Sequence, residues 1–163
     1  MAPFLERALE LIAKHRLQEP PGAFRLFRMA RAEGILVSRY PFNGRIAGTY
    51  IRSTDGIALI TVKRGLAEPQ LKRALAFGLG LHCLGAPAGV CLDGLIAGED
   101  EDAAEDFAAL LLLPHLAPAF RAARPGRDFL QEAARVFRVP VPLVHRRLLL
   151  EEQLRELLPR SGR

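Results

Sequence analysis

The sequence predicts an α+β domain that is mostly helical and carries a small three-stranded antiparallel sheet. Two observations support this fold class. Apolar residues recur at helical spacing near the amino terminus and again beyond residue 69, and the stretch between contains three β-rich runs separated by Gly-containing turns. The chain has 163 residues, half of them hydrophobic, which is enough to bury a core without disulfides. We therefore expect a single domain spanning residues 1–163.

Two amphipathic helices are predicted ahead of the sheet. Apolar residues from Phe4 to Ile12 fall at helical spacing, and the Pro-Pro-Gly sequence at 20–22 ends that segment. A second apolar run from Phe24 to Ala30 predicts another helix. Gly34 is placed to cap its carboxyl end, because glycine readily adopts the left-handed conformation found there.

Three short strands are predicted next, at 35–40, 45–52 and 57–62. They are separated by the sequences PFNG at 41–44 and STDG at 53–56, which are typical of tight turns. Strands joined by such turns usually pair with each other. The pattern therefore predicts two consecutive hairpins.

The second half of the chain predicts further helices. One begins near Pro69, a favoured first-turn residue, and the loop predicted at 85–98 follows it with four glycines and a proline. The next helix starts in the acidic run 99–102, which complements the positive end of a helix dipole, and ends at Pro114. Its apolar residues lie nearly all round the helix, so we expect it to be buried.

Charge and cysteine content restrict the class of protein. The net charge is +5, but the sequence contains no apolar run long enough to cross a membrane, and charged residues interrupt the amino-terminal apolar stretch. We expect a cytoplasmic protein with no membrane partner. Cys83 and Cys91 form no CxxC pair, so the sequence indicates neither a disulfide framework nor a zinc ribbon.

Two stretches resemble the ImmA/IrrE family of zinc metallopeptidases. The family shows a strand, a helix close to AHELGHxLLG and a helix close to ExEAxxFAAxLLMP. Here GIALITVK precedes LKRALAFGLGLHCLG, and EDAAEDFAALLLLP follows them. FLQEAARVFRVPVPLVHRRL is similar to a carboxyl-terminal segment of the family. The resemblance covers residues 57–150 and implies a zincin-like helix pair.

The resemblance also places the expected active site. In an H-E-x-x-H helix, the two histidines lie on one face and bind zinc while the glutamate polarises a water molecule. This chain has Phe77 and Leu81 at the histidine positions and Gly78 at the glutamate position, with Leu79 and Gly80 between. Phenyl and isobutyl groups cannot bind zinc. The implied site is therefore a degenerate one, without zinc or another cofactor.

The third family ligand is an acid on the second helix. Two positions of the match are acidic in the family; Glu101 fills the first and Ala103 stands at the second. Together with Phe77, Gly78 and Leu81, Glu101 would line a vestigial cleft. Two explanations of Gly78 stay open: close packing of another helix, which we favour, or a pocket lined by Phe77 and Leu81 that the missing side chain opens.

The alternative is a metal site formed by other ligands than those of the H-E-x-x-H motif. His82 and Cys83 are adjacent on the predicted helix and lack local partners at i−4 and i+4 that could bind metal. Such a site would require ligands from elsewhere, such as Glu101 or His115. A zinc peptidase with this non-standard ligand set is the hypothesis we rank last.

The carboxyl-terminal segment 127–158 predicts two helices around a turn at 139–142, the spacing of a helix-turn-helix unit. In a DNA-binding interpretation, its arginines contact phosphates or bases. In the other, which we favour, they are solvated residues on a packed helix pair. The candidate contacts are Arg135, Arg138, Arg146 and Arg147. A leucine stripe on the last helix also indicates a core face or a homodimer contact.

The sequence therefore favours a catalytically inactive metallopeptidase-like protein. As a binding or regulatory module it would contact a protein, and the resemblance implies a transcriptional repressor of the kind that active relatives cleave. A DNA-binding regulator is the alternative, and a zinc peptidase with unusual ligands is the second alternative.

Overall fold

The computed structural model of the chain describes residues 2–92, 99–114 and 127–157. It confirms the α+β class. The helices of the described residues are α1 (Pro3–Lys14), α2 (Ala23–Ala32), α3 (Glu68–Cys83), α4 (Glu99–Leu112), α5 (Arg127–Phe137) and α6 (Val141–Leu157). The strands are β1 (Ile35–Tyr40), β2 (Ile46–Arg52), β3 (Ala58–Lys63) and β4 (Ala88–Leu92). Helices thus outnumber strands, as the sequence predicts.

The sheet is mixed and four-stranded, so the prediction of three antiparallel strands is wrong. Its order is β1-β3-β2-β4. The hairpin between β2 and β3 is present, but β1 pairs with β3 in parallel and not with β2. The physical reason lies in β3, where Ala58, Ile60 and Val62 are all fully buried. A strand with such a continuous buried face takes the centre of a sheet and is paired on both sides.

The fourth strand lies within the segment 85–98 that the sequence predicts to be a loop. Residues of β4 pair antiparallel with β2, with a register shift between Ile46 and Gly48. The strand is short and contains Ala88 and Gly89, which have low β-propensity. Its pairing with β2 is a tertiary contact, which local sequence does not reveal.

Helices cover one face of this sheet. Helix α2 packs against β1, and α3 packs against the other three strands. Register places a cross-strand row on the opposite face, formed by Leu36, Leu59, Ile51 and Ala88. Leu36 and Ile51 in this row are exposed. The sheet therefore has a buried face and a face with exposed apolar side chains.

Helix α4 lies at the centre of the helical layer, as its apolar sequence predicts. Every side chain from position 107 to 113 is buried, and the helix packs against α1, α3 and α6. The predicted cap at Gly34 is also confirmed. Its φ angle is +76°, and its N–H donates to Arg31 O at 3.0 Å. None of the described helices combines the length and apolar character needed to span a bilayer.

Candidate functional site

The positions that match the family's zinc-binding motif lie in the middle of α3. Phe77, Gly78 and Leu81 are all buried there. Phe77 and Leu81 belong to the main hydrophobic cluster, which also contains the central strand residues of β3. A phenyl ring, a hydrogen atom and an isobutyl group supply no zinc ligand, so these residues do not fit the metal that the family would hold here.

The two glycines of this helix lie at close contacts. A Cβ atom at Gly78 would lie 2.7 Å from Cδ1 and Cγ1 of Ile60 on β3, and one at Gly80 would lie 3.0 Å from the ring of Phe107 on α4. These distances favour the explanation of Gly78 by close packing over that of an opened pocket. The neighbour of Gly78 is a strand, however, and only Gly80 packs against another helix.

Strand β4 lies over the next turn of α3. A Cβ atom at Gly89 would collide with Cδ1 of Leu81, so the leucine side chain packs directly on the backbone of β4. Leu81 stands where the family has its second histidine. Strand β4, which the sequence analysis did not predict, therefore covers a position that the resemblance assigns to a zinc ligand.

An ion pair that the sequence did not indicate lies beside this region. Arg73 of α3 and Glu105 of α4 form a bidentate pair, with both side chains largely removed from solvent. Arg73 also donates to Leu92 O on β4 at 3.0 Å. Neither residue stands out in the sequence, because Arg73 follows Lys72 and Glu105 precedes Asp106. The arginine thus links α3, α4 and β4.

Among the acidic candidates, Glu101 lies on α4 and its side chain is outside the described residues. The carboxylate of Glu105 forms an ion pair with Arg73, and Asp106 accepts a hydrogen bond from Arg146 at 2.8 Å. Ala103, at the second acidic position of the match, carries no ligand atom. The described carboxylates of α4 at 105 and 106 thus serve as helix-to-helix contacts.

His82 and Cys83 have contacts of their own. His82 Nδ1 is 2.9 Å from the hydroxyl of Tyr50, whose ring meets the imidazole edge to face. Burial lowers the pKa of His82, and the cationic Arg52 lowers it further. Burial raises the pKa of Cys83 to about 11, which keeps the free thiol protonated at neutral pH.

The remaining candidate of the alternative metal set, His115, lies outside the described residues. Within residues 2–92, 99–114 and 127–157, His, Cys, Asp and Glu side chains form no cluster of three that could hold a metal ion.

The burial of His82 predicts a pH-dependent stability. Because the folded state lowers the pKa of His82 from 6.5, protonation favours the unfolded chain, and stability falls as pH falls from 6.5 through the lower folded value. We expect the free energy of unfolding in urea to decrease as the pH is lowered from about 7.5 to about 5.5. The decrease should be smaller in a His82→Gln variant. An equal decrease in both proteins would contradict the assignment to His82.

The four arginines proposed as DNA contacts all have protein partners. Arg135 pairs with Glu132 on its own helix, Arg138 with Glu68 at 2.9 Å, and Arg146 with Asp102 and Asp106. Arg147 is buried; it donates to Leu113 O at 2.8 Å and pairs with Glu151 at 3.0 Å. These contacts favour the interpretation of 127–158 as a packed helix pair.

Comparisons with known proteins do not identify the chain. Neither a protein-family model nor a curated protein matches its sequence.

Proposed function

We propose that this chain is a catalytically inactive relative of the ImmA/IrrE metallopeptidases that acts as a binding or regulatory module. The arrangement of elements supports the proposal: the strand β3 precedes α3, and α3 packs against α4, the second helix of the motif. Helices α5 and α6 then follow in the order of the family's carboxyl-terminal segment.

One observation carries the proposed loss of activity. The three positions that would supply two histidines and a glutamate hold Phe77, Gly78 and Leu81, and all three are packed inside the core. Zinc catalysis requires three protein ligands and an open position for water. Apolar side chains packed against β3 and β4 offer neither. The order of these elements is then compatible with a scaffold that binds a partner without cleaving it.

The partner class follows from the resemblance. Active relatives cleave transcriptional repressors, so we propose a protein partner, and a repressor as the first candidate. The DNA-binding alternative has less support, because Arg147 is buried and Arg146 is engaged by two aspartates of α4. A homodimer stays a prediction from the leucine stripe of α6.

Metal analysis tests the proposed inactivity. We expect the purified full chain, supplied with zinc and then dialysed, to contain far less than one zinc per chain by elemental analysis, because the motif positions hold no ligand atoms. Peptidase activity against unstructured peptides should be unaffected by chelators and equal to the buffer blank.

The matched control is the His82→Ala/Cys83→Ala variant, which removes two members of the alternative ligand set. Stoichiometric zinc in the wild-type chain, lost in this variant, would overturn the proposal in favour of the non-standard peptidase. Equal trace zinc in both chains supports it.

A further inference from the structure

A groove lies between α2 and β1, at the edge of the sheet opposite to β4. Its volume is about 630 Å³. The lining residues come from the exposed face of α2 and the start of β1: Phe24, Phe27, Arg28, Arg31, Ile35 and Leu36 among them. Among the residues of this lining that the structure describes, none is acidic.

The groove borders the first half of β1, at an open edge of the sheet. β1 is the outermost strand of the order β1-β3-β2-β4, and no other strand of the described residues pairs with its outer side. Its six residues pair with β3 without a register shift. Prolines and bulges, which commonly protect edge strands, are absent from β1. Alternate N–H and C=O groups of this strand therefore point outward and can accept another strand.

The charge of the groove is one-sided. Residues 23–40 contain four arginines and a single acid, Glu33. Glu33 is already held by Lys14 at 2.8 Å and by His15 at 2.9 Å. Arg28 and Arg31 are exposed and form no ion pair within the described parts of the chain. Two cations thus face the groove without an internal counter-charge.

Apolar side chains border the same groove. Phe24 is 76% exposed and Leu36 is 62% exposed, the two largest values among the large apolar residues that the structure describes. Phe27 lies below the guanidinium of Arg39, whose Cζ is 5.5 Å from the ring centroid. Exposed apolar residues beside unpaired cations and an open strand edge are typical of a peptide-binding surface.

We infer that this groove binds an extended acidic segment of a partner protein, which adds as a strand to the outer edge of β1. Side chains of a strand alternate between faces. One set would therefore face α2 and place its carboxylates near Arg28 and Arg31, while the other set would lie beside Leu36. This inference rests on the proposed binding function and names its surface and the chemistry of its partner.

A nucleic acid is the competing polyanion for a basic surface with aromatic residues. The open edge favours a peptide, because a strand supplies backbone donors and acceptors in the spacing that β1 presents, whereas a nucleic acid backbone does not. Single-stranded DNA is therefore a competitor in the test.

The test uses the full chain and a labelled peptide of about eight residues, a common strand length, in which glutamate and valine alternate. A peptide of the same composition with the glutamates and valines in separate blocks is the matched control, since it cannot present all its acids on one face. We expect the alternating peptide to bind about tenfold more tightly by fluorescence anisotropy. Hydrogen exchange should slow at the amides of β1.

Charge reversal provides a second measurement. Arg28→Glu/Arg31→Glu should weaken binding of the alternating peptide by about tenfold or more, because two attractions become repulsions. Arg52→Glu/Arg64→Glu changes the net charge equally at exposed arginines outside the groove and should change affinity less than about twofold. Both pairs are exposed, so the fold should be retained, and circular dichroism checks this.

Equal binding of the two peptides, unchanged exchange in β1, or tighter binding of oligothymidylate than of the alternating peptide would overturn the inference. So would a dimer, detected by sedimentation velocity, that excludes the peptide. Failure of the proposed function is a separate result. Zinc-dependent cleavage of the peptide would contradict the proposal that the chain is catalytically inactive, but it would not change the measured affinity of the groove for the peptide.

Discussion

Gly78→Glu, which places a glutamate at the position matched to the glutamate of the H-E-x-x-H motif, is expected to destabilise the fold by about 4 kcal/mol or more. A Cβ atom at this position would lie 2.7 Å from two carbons of Ile60, and Ile60 is itself fully buried on the central strand. The added carboxylate would also be buried among apolar groups. Urea unfolding followed by circular dichroism measures the loss directly.

Gly22→Glu is the control for this substitution. Gly22 is exposed, lies at the amino-terminal cap of α2 with a φ of −78°, and has no atom within 4 Å of an added Cβ. A carboxylate there also meets the favourable end of the helix dipole. We expect the free energy of unfolding to change by less than about 0.5 kcal/mol. Similar stability of the two variants would show that α3 does not pack on β3 as described.

Arg147→Ala is expected to cost about 3 kcal/mol of stability. The side chain is 5% exposed and connects α6 to the end of α4 through Leu113 O and to Glu151 within its own helix. Removing it leaves the Leu113 carbonyl without its donor, leaves Glu151 with the more distant Arg155 at 3.9 Å, and opens a cavity beside α4. Thermal and urea unfolding of the variant measure this loss.

Arg135→Ala is the matched variant on the neighbouring helix. Arg135 is 72% exposed and pairs with Glu132 one turn away, an arrangement that contributes little in water. Its loss should change the free energy of unfolding by less than about 0.5 kcal/mol. If the two variants were equally stable and both lost affinity for duplex DNA, the arginines of 127–158 would be surface contacts and the packed-pair interpretation would fail.

Local signals predicted much of this fold. The Pro-Pro-Gly break, the STDG turn and the apolar run before Pro114 each act over a few residues, and the helices, the β2–β3 hairpin and the buried α4 follow from them. Strand pairing between distant segments left no such signal. The parallel pairing of β1 with β3 and the addition of β4 to β2 depend on which faces become buried together.

The sequence predicted the candidate site only in part, because it too depends on contacts between distant segments. The glycine at position 78 stood out, because a helix interior disfavours it by about 1 kcal/mol relative to alanine. Its partner Ile60 lies on another element, as do the partners in the Arg73–Glu105 and Tyr50–His82 pairs. Such contacts join residues far apart in sequence, so they become visible only when the helices and the sheet are assembled.

The strand order also implies a sequence of folding events. β2 and β3 are joined by a short turn, and hairpins of this kind form in about 1–10 μs. In the sequence, β2 lies between β1 and its partner β3, and β3 and α3 lie between β2 and its partner β4. Closing these longer loops slows their addition. The hairpin is thus expected to form first, with the two outer strands, including the edge that borders the groove, added to it later.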